Sequence, residues 1–332
     1  MIVPSTPILS LFKAPTLYAA DASAAGAAAG AKKEAPSGVG LYLRYALGGA
    51  LCCSITHAAV VPVDVVKTRL QLFPGKYKGM IDGFKRIPAE EGAMTLLTGL
   101  GPTAVGYAAQ GAFKFGFYEA FKAMFINMVG WNTAVDYRTS IFLASSAMAE
   151  TIADLALCPM EATRIRMVSD PTFAKGLADG VGKIVANEGV VALYKGLPPI
   201  LLKQVPYTMA KFVVFERAVE AIYKTLNKDK NSYTKAQQVS VSLGGGLISG
   251  AVAAVISHPA DTILTKVNKV KTDGGVMDAL KIVVKETPFS ALWLGLGARI
   301  LMVAGLTCLQ FGIYDSVKVM FGIPPAQPMT KK

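Results

Sequence analysis

Amide, ammonium and carboxylate side chains recur in this sequence at points flanked on both sides by apolar residues. Their spacing sorts them by chemistry. Gln110 and Lys114 are four apart and share one helical face. Lys203, Gln204 and Lys211 occur on a later segment, the two lysines about 80° apart around a helix. Arg299 and Gln310 lie about 20° apart on a third. Thr56 adds a hydroxyl. Point-charge and amide donors of this kind suit a small multivalent anion, and inorganic phosphate accepts several such bonds. Snorkelling of the charged head to a helix end competes with that role at Lys203 and Arg299. A second group can hold protons. Glu150 and Asp154 share a face with Glu161, and His57 stands seven residues before Asp64. An anion site needs no acid, so an acid or a histidine beside it points to a proton carried with the anion. A packing hydrogen bond for His57 and a salt bridge from Glu150 to a site lysine are the competing roles. His258, directly before Pro259, reads as structural.

The elements that hold these residues are apolar. Of 332 residues, 52% are hydrophobic and 17% charged, where a soluble chain carries about 25% charge. The mean hydropathy is +0.43. The chain therefore reads as a membrane protein. Its net charge of +12 suits anionic lipid headgroups or an anionic solute. No basic stretch is interleaved with aromatics as a nucleic-acid platform would be. Cys52, Cys53, Cys158 and Cys308 lack metal-ligand spacing and read as small packing residues. Two histidines are too few for a histidine-rich metal site. No nucleophile–base pair or phosphate-cradling glycine loop stands out, so neither an enzyme nor a cofactor is expected.

Pro62, Pro159 and Pro259 recur with a period of about 100 residues, too long for a solenoid repeat. Each proline lies in a long apolar helix, followed by a short amphipathic helix and a second apolar run. A spanning helix needs about 20 apolar residues, so three units give six spans. The expected fold is an all-α membrane protein with six transmembrane helices in three pseudo-symmetric repeats, at 41–131, 132–231 and 232–322. Residues 1–40, rich in Ala, Ser, Pro and Gly, are expected to be a disordered tail or a targeting segment, and 323–332 a C-terminal tail. Small residues at four-residue spacing (Gly246, Gly250, Ala254; Ala50, Ser54, Ala58; Ser145, Ala149, Ala153) predict close helix packing. Each proline removes a backbone hydrogen bond and kinks its helix. The acid after each kink then needs a basic partner from a neighbouring repeat.

The pattern proline, any residue, acid, two residues, base fits Pro62–Asp64–Lys67 and Pro159–Glu161–Arg164, and a third copy begins Pro259–Asp261. With three repeats over about residues 40–320, the chain resembles the mitochondrial carrier family. That resemblance implies a matrix-side gate of Asp64, Lys67, Glu161, Arg164 and Asp261, braced by Gln71. It implies a cytoplasmic gate of Tyr118, Glu119, Lys122, Phe215, Glu216, Tyr314, Asp315 and Lys318. Leu264 and Val219 stand where each gate expects a base, so each gate is expected to lack one ionic link. Gly92, Gly99, Gly189, Gly196 and Gly295 resemble cardiolipin-binding elements, although Thr98 and Leu294 replace a base there. The resemblance implies proton-coupled uptake of inorganic phosphate across the inner mitochondrial membrane into the matrix, as phosphate/proton symport or the equivalent exchange for hydroxide, by a chain that can act as a monomer. Carriage of another anion such as a carboxylate, or a non-transporting scaffold with the same fold, remain the alternatives.

Overall fold

The computed structural model describes residues 38–323, except 74, 171, 227–232, 268–274 and 294–295. The expectations for residues 1–37, for Leu294 and Gly295, and for the side chains of Gln71, Asp261 and Leu264 fall outside the described set.

Ten α-helices are present among the described residues, and six are long: α1 (Val39–Leu72), α3 (Leu100–Val129), α5 (Arg138–Ser169), α7 (Leu197–Leu226), α8 (Lys235–Val267) and α10 (Leu296–Met320). The others are α2 (Met80–Glu91), α4 (Trp131–Asp136), α6 (Leu177–Glu188) and α9 (Gly275–Glu286). At 34 residues α1 runs about 50 Å, more than the roughly 30 Å of bilayer hydrocarbon. Each long helix packs on the next and α10 returns to α1, closing a ring of six. Among the described residues, four long helices carry a continuous apolar stretch: α1, α5, α8 and α10. The remaining two, α3 and α7, are diluted by the Tyr, Gln, Gly and Lys residues that they turn inward.

Pro62, Pro159 and Pro259 lie inside α1, α5 and α8. Their level defines a proline end of the bundle. The opposite, aromatic end is filled by one cluster that includes Leu41, Tyr45, Phe115, Tyr118, Phe212, Phe311 and Tyr314.

At the proline end α2 and α6 are anchored alike. The Lys78 and Lys175 backbone N–H groups donate to Asp82 and Asp179 at 2.9 Å, tying each first turn to its approach segment. That bond, helped by Lys183, holds the Asp179 carboxyl below its usual range. Arg69 of α1 reaches Glu91 at 2.9 Å, and Arg166 of α5 reaches Glu188 at 2.6 Å. Each arginine lies seven residues after its proline. These struts fix the angle between the kinked helix and the short one, and the sequence reading missed them. The partners are 22 residues apart, so only the fold brings them together.

Close packing is real, but its residues differ in part from the expected stripes. Gly250 faces the Ala304 backbone of α10, where an added methyl carbon would come within 2.7 Å, and Gly246 faces Cys308. On α1 the tightest approach uses Gly49, not Ala50–Ser54–Ala58. A methyl group at Gly49 would strike the Gly111 carbonyl of α3, and one at Gly111 would strike Gly49 in return. Ser54 instead donates a hydrogen bond to the Ala104 carbonyl at 3.0 Å. Neither backbone can yield to a side chain here. Gly111→Val is expected to lower the thermal unfolding temperature of the purified protein sharply, because overpacking of this kind costs about 1–3 kcal/mol or more. Unchanged unfolding would show that the two helices separate freely.

Candidate functional site

The centre of the ring is polar and closed to solvent. Gln110 and Lys114 stand one turn apart on α3, and Glu150 and Asp154 one turn apart on α5. Both acids are fully buried, and Lys114 is 3% exposed. Lys114 Nζ lies 3.0 Å from Glu150 Oε2. Gln110 Nε2 donates to Glu150 Oε1 at 3.2 Å and to Asp154 Oδ1 at 3.0 Å. The amide therefore bridges the two carboxylates, and the ammonium rests on Glu150.

A second chain of contacts joins the three repeats. Lys211 of α7 donates to Gln310 Oε1 of α10 at 2.9 Å. Gln310 Nε2 donates to Cys53 Sγ of α1 at 3.0 Å. Lys211 Nζ also lies 5.3 Å from the Tyr207 ring centre and 5.7 Å from that of Phe212. Its charge is thus met by a neutral amide and by ring faces, while Lys114 faces an acid. Cys53 is more than the packing residue expected from composition, since its sulfur accepts the bond that fixes which way Gln310 points.

The other expected site residues divide. Thr56 gives its hydroxyl proton to the Cys52 carbonyl of its own helix at 2.7 Å. His57 Nδ1 donates to the Cys53 carbonyl at 2.9 Å, and its ring stacks on Tyr107 with centres 3.6 Å apart. Arg299 donates to Ser257 at 3.0 Å. Lys203 and Gln204 are half-buried, and among the described residues no hydrogen bond or ion pair joins them to the central network. Two residues were missed. Tyr107 holds the His57 ring, and Tyr207 lies under Lys211 and exchanges a 3.3 Å hydrogen bond with Thr307. Their signal was present: Tyr107 precedes Gln110 by three residues, and Tyr207 precedes Lys211 by four.

Beyond the centre, each end carries its own closure. At the aromatic end Phe215 stacks on Phe311 at 3.6 Å, and Tyr118 on Phe212 at 4.3 Å. Above this layer Lys122 pairs with Glu119 at 2.9 Å and with Glu216 of α7 at 3.3 Å. Tyr118 donates to Glu216 at 3.3 Å. Lys318 pairs with Asp315, and Ser242 of α8 donates to the same carboxylate. Ser242 thus supplies a contact to Asp315 where Val219 leaves no base. At the proline end Arg164 reaches Asp64 of α1 at 3.2 Å and Glu161 of its own helix at 3.0 Å. One guanidinium holds both acids. His258, expected to be structural, stacks loosely on Trp293 at 6.4 Å.

The sequence profile described as mitochondrial carrier protein matches residues 41–129, 137–226 and 235–324. The chain belongs to the mitochondrial carrier family. The carrier is 57% identical over 290 residues to mitochondrial substrate carrier family protein N of Dictyostelium discoideum, covering 86% of this chain and 97% of that protein. It is 49% identical over 280 residues to a probable mitochondrial phosphate carrier protein of Schizosaccharomyces pombe, covering 84% and 90%. It is 45% identical over 283 residues to solute carrier family 25 member 3 of Homo sapiens, covering 85% and 77%. In the carrier, Gly92 and Gly189 follow α2 and α6 with φ of 91° and 81°, and Gly99 precedes α3 with φ of 82°. Side-chain-bearing residues rarely adopt that backbone. Gly196 does not share it.

Proposed function

We propose that this carrier moves inorganic phosphate, together with protons, across the inner mitochondrial membrane into the matrix. Relatives at 43–49% identity bear the name phosphate carrier. The observation that carries the reading is the buried centre: two lysines on different helices, set against a carboxylate pair. Lys211 and Lys114 attract the anion, while Gln110 holds the carboxylate pair and Gln310 holds Lys211. Glu150 takes the proton that travels with it, Asp154 faces the anion beside it, and His57, with Nε2 left to exchange a proton, lies on the route. The matrix gate is the proline end and the cytoplasmic gate the aromatic end. Each opens when its ion pairs part, and phosphate in the centre offsets that loss. Three repeats enclose one pathway, so a monomer suffices. Gly92, Gly99 and Gly189 shape the helix junctions that would receive cardiolipin headgroups.

The purified protein in liposomes is expected to take up labelled phosphate, with unlabelled phosphate competing and malate or citrate not competing. Stronger competition by the carboxylates would move the substrate to that class. The matrix gate has its own test. Arg164→Gln leaves Asp64 and Glu161 without their shared cation, and uptake is expected to fall about tenfold or more, as for loss of a half-buried ion pair worth about 1–3 kcal/mol. Uptake equal to the parent protein would show that Arg164 plays no part in closure.

A further inference from the structure

We propose that Asp154 selects the substrate by accepting a hydrogen bond from a hydroxyl of the anion, so that the site takes a tetrahedral oxyanion that still carries a proton and rejects a fully ionised one of the same size. The proposal rests on the phosphate reading above and names the residue that gives that site its selectivity.

An acid beside an anion site is costly unless something donates to it. Asp154 is fully buried. Its Oδ1 accepts from Gln110 at 3.0 Å, while among the described residues its Oδ2 has no hydrogen-bond donor. A buried acceptor without a donor is rare and expensive. The nearby nitrogen donors are committed, and the neighbouring Glu150 carboxyl is an acceptor like Asp154 itself. Lys114 lies on Glu150 at 3.0 Å, and Gln110 already divides its amide between the two acids. The centre thus presents two unlike demands. Lys211, held by a neutral carbonyl oxygen, calls for negative charge, and Asp154 calls for a donor. Phosphate and arsenate meet both, because at neutral pH each keeps at least one hydroxyl. Sulfate meets only the first. It has no proton to give, and its oxygens would repel the carboxylate. Monofluorophosphate also has no hydroxyl left at neutral pH. A site built to bond a substrate hydroxyl rejects the analogue that lacks it far more strongly than a site that senses size alone.

The test is competition with labelled phosphate uptake by arsenate, sulfate and monofluorophosphate in liposomes at neutral pH. Stabilisation of the purified protein against heat by each anion is read in parallel. The wild-type protein is expected to respond to arsenate as to phosphate and to ignore sulfate and monofluorophosphate. In Asp154→Asn the amide can donate to an ionised oxygen. The ratio of sulfate to phosphate binding is then expected to rise at least about 100-fold. Discrimination that is unchanged in folded Asp154→Asn would overturn the proposal. So would monofluorophosphate that competes as well as arsenate in the wild type, a comparison that needs no variant to fold. Wild-type protein that binds phosphate and sulfate equally overturns the selectivity but keeps the anion carrier. Wild-type protein that responds to none of these anions overturns the phosphate reading, and this proposal with it.

Discussion

Lys211→Ala is expected to abolish phosphate uptake while the protein stays folded. Lys211 is 1% exposed, and among the described residues no acid is in direct contact with its charge. It is therefore the centre's available attraction for an anion, whereas Lys114 is already paired with Glu150. Removing one member of a buried charged contact costs about 3–5 kcal/mol. Expressed in the bound state, that lowers uptake by more than about 100-fold. The fold is spared because the substitution removes a cation and leaves the surrounding rings, Tyr207, Phe212 and Phe311, in place. Gln310 loses its lysine but keeps its bond to Cys53. Uptake assays and thermal unfolding on one preparation check both halves. Near-normal uptake would remove Lys211 from the site.

The second large effect belongs to Glu150→Gln. Glutamine preserves the shape but keeps a single acceptor oxygen, which can face Lys114 while its NH2 turns toward Gln110, so the structural cost is at least about 1–3 kcal/mol, that of losing one charged hydrogen bond in a dry site. The functional cost is larger. A neutral amide cannot gain or lose a proton, so phosphate uptake is expected to stop following an imposed pH gradient. Exchange of phosphate for phosphate, which moves no net proton, is expected to be the less impaired reaction. Both modes are measurable in the same vesicles. Unchanged pH dependence would leave Glu150 as a partner of Lys114 and nothing more.

The parts of this molecule that follow from local pattern were legible in the sequence. Pro62, Pro159 and Pro259 marked three kinked helices because proline breaks the same backbone bond wherever it stands. Lys114, Lys211 and Glu150 were legible as interior charges because apolar residues surround them. The pairing of Asp64 with Arg164 followed from the need of each acid for a base. What the sequence hid were choices among equivalent partners. Gln110 reads as an anion ligand from its spacing to Lys114, yet it spends its amide on Glu150 and Asp154, which sit 40 and 44 residues away. Gly49 was passed over for Ala50 because small residues crowd both faces of α1, and only the rotation of the packed helix decides between them. Cys53 gave no polar signal, since a lone thiol looks like a small apolar group until a donor such as Gln310 is placed against it. The struts Arg69–Glu91 and Arg166–Glu188 needed the turn between two helices before their charges met. Glu161, deprived of a base at Leu264, has its hydrogen-bond partner on its own helix in Arg164.

The central claim is that phosphate and protons cross together through the buried lysine–carboxylate centre. It is tested most directly by labelled phosphate uptake into liposomes containing the purified carrier, at equal pH and with the interior made alkaline. The account predicts uptake that rises when the interior is alkaline and collapses when the gradient is dissipated. Uptake that ignores the gradient, or none at all by folded protein, would contradict it.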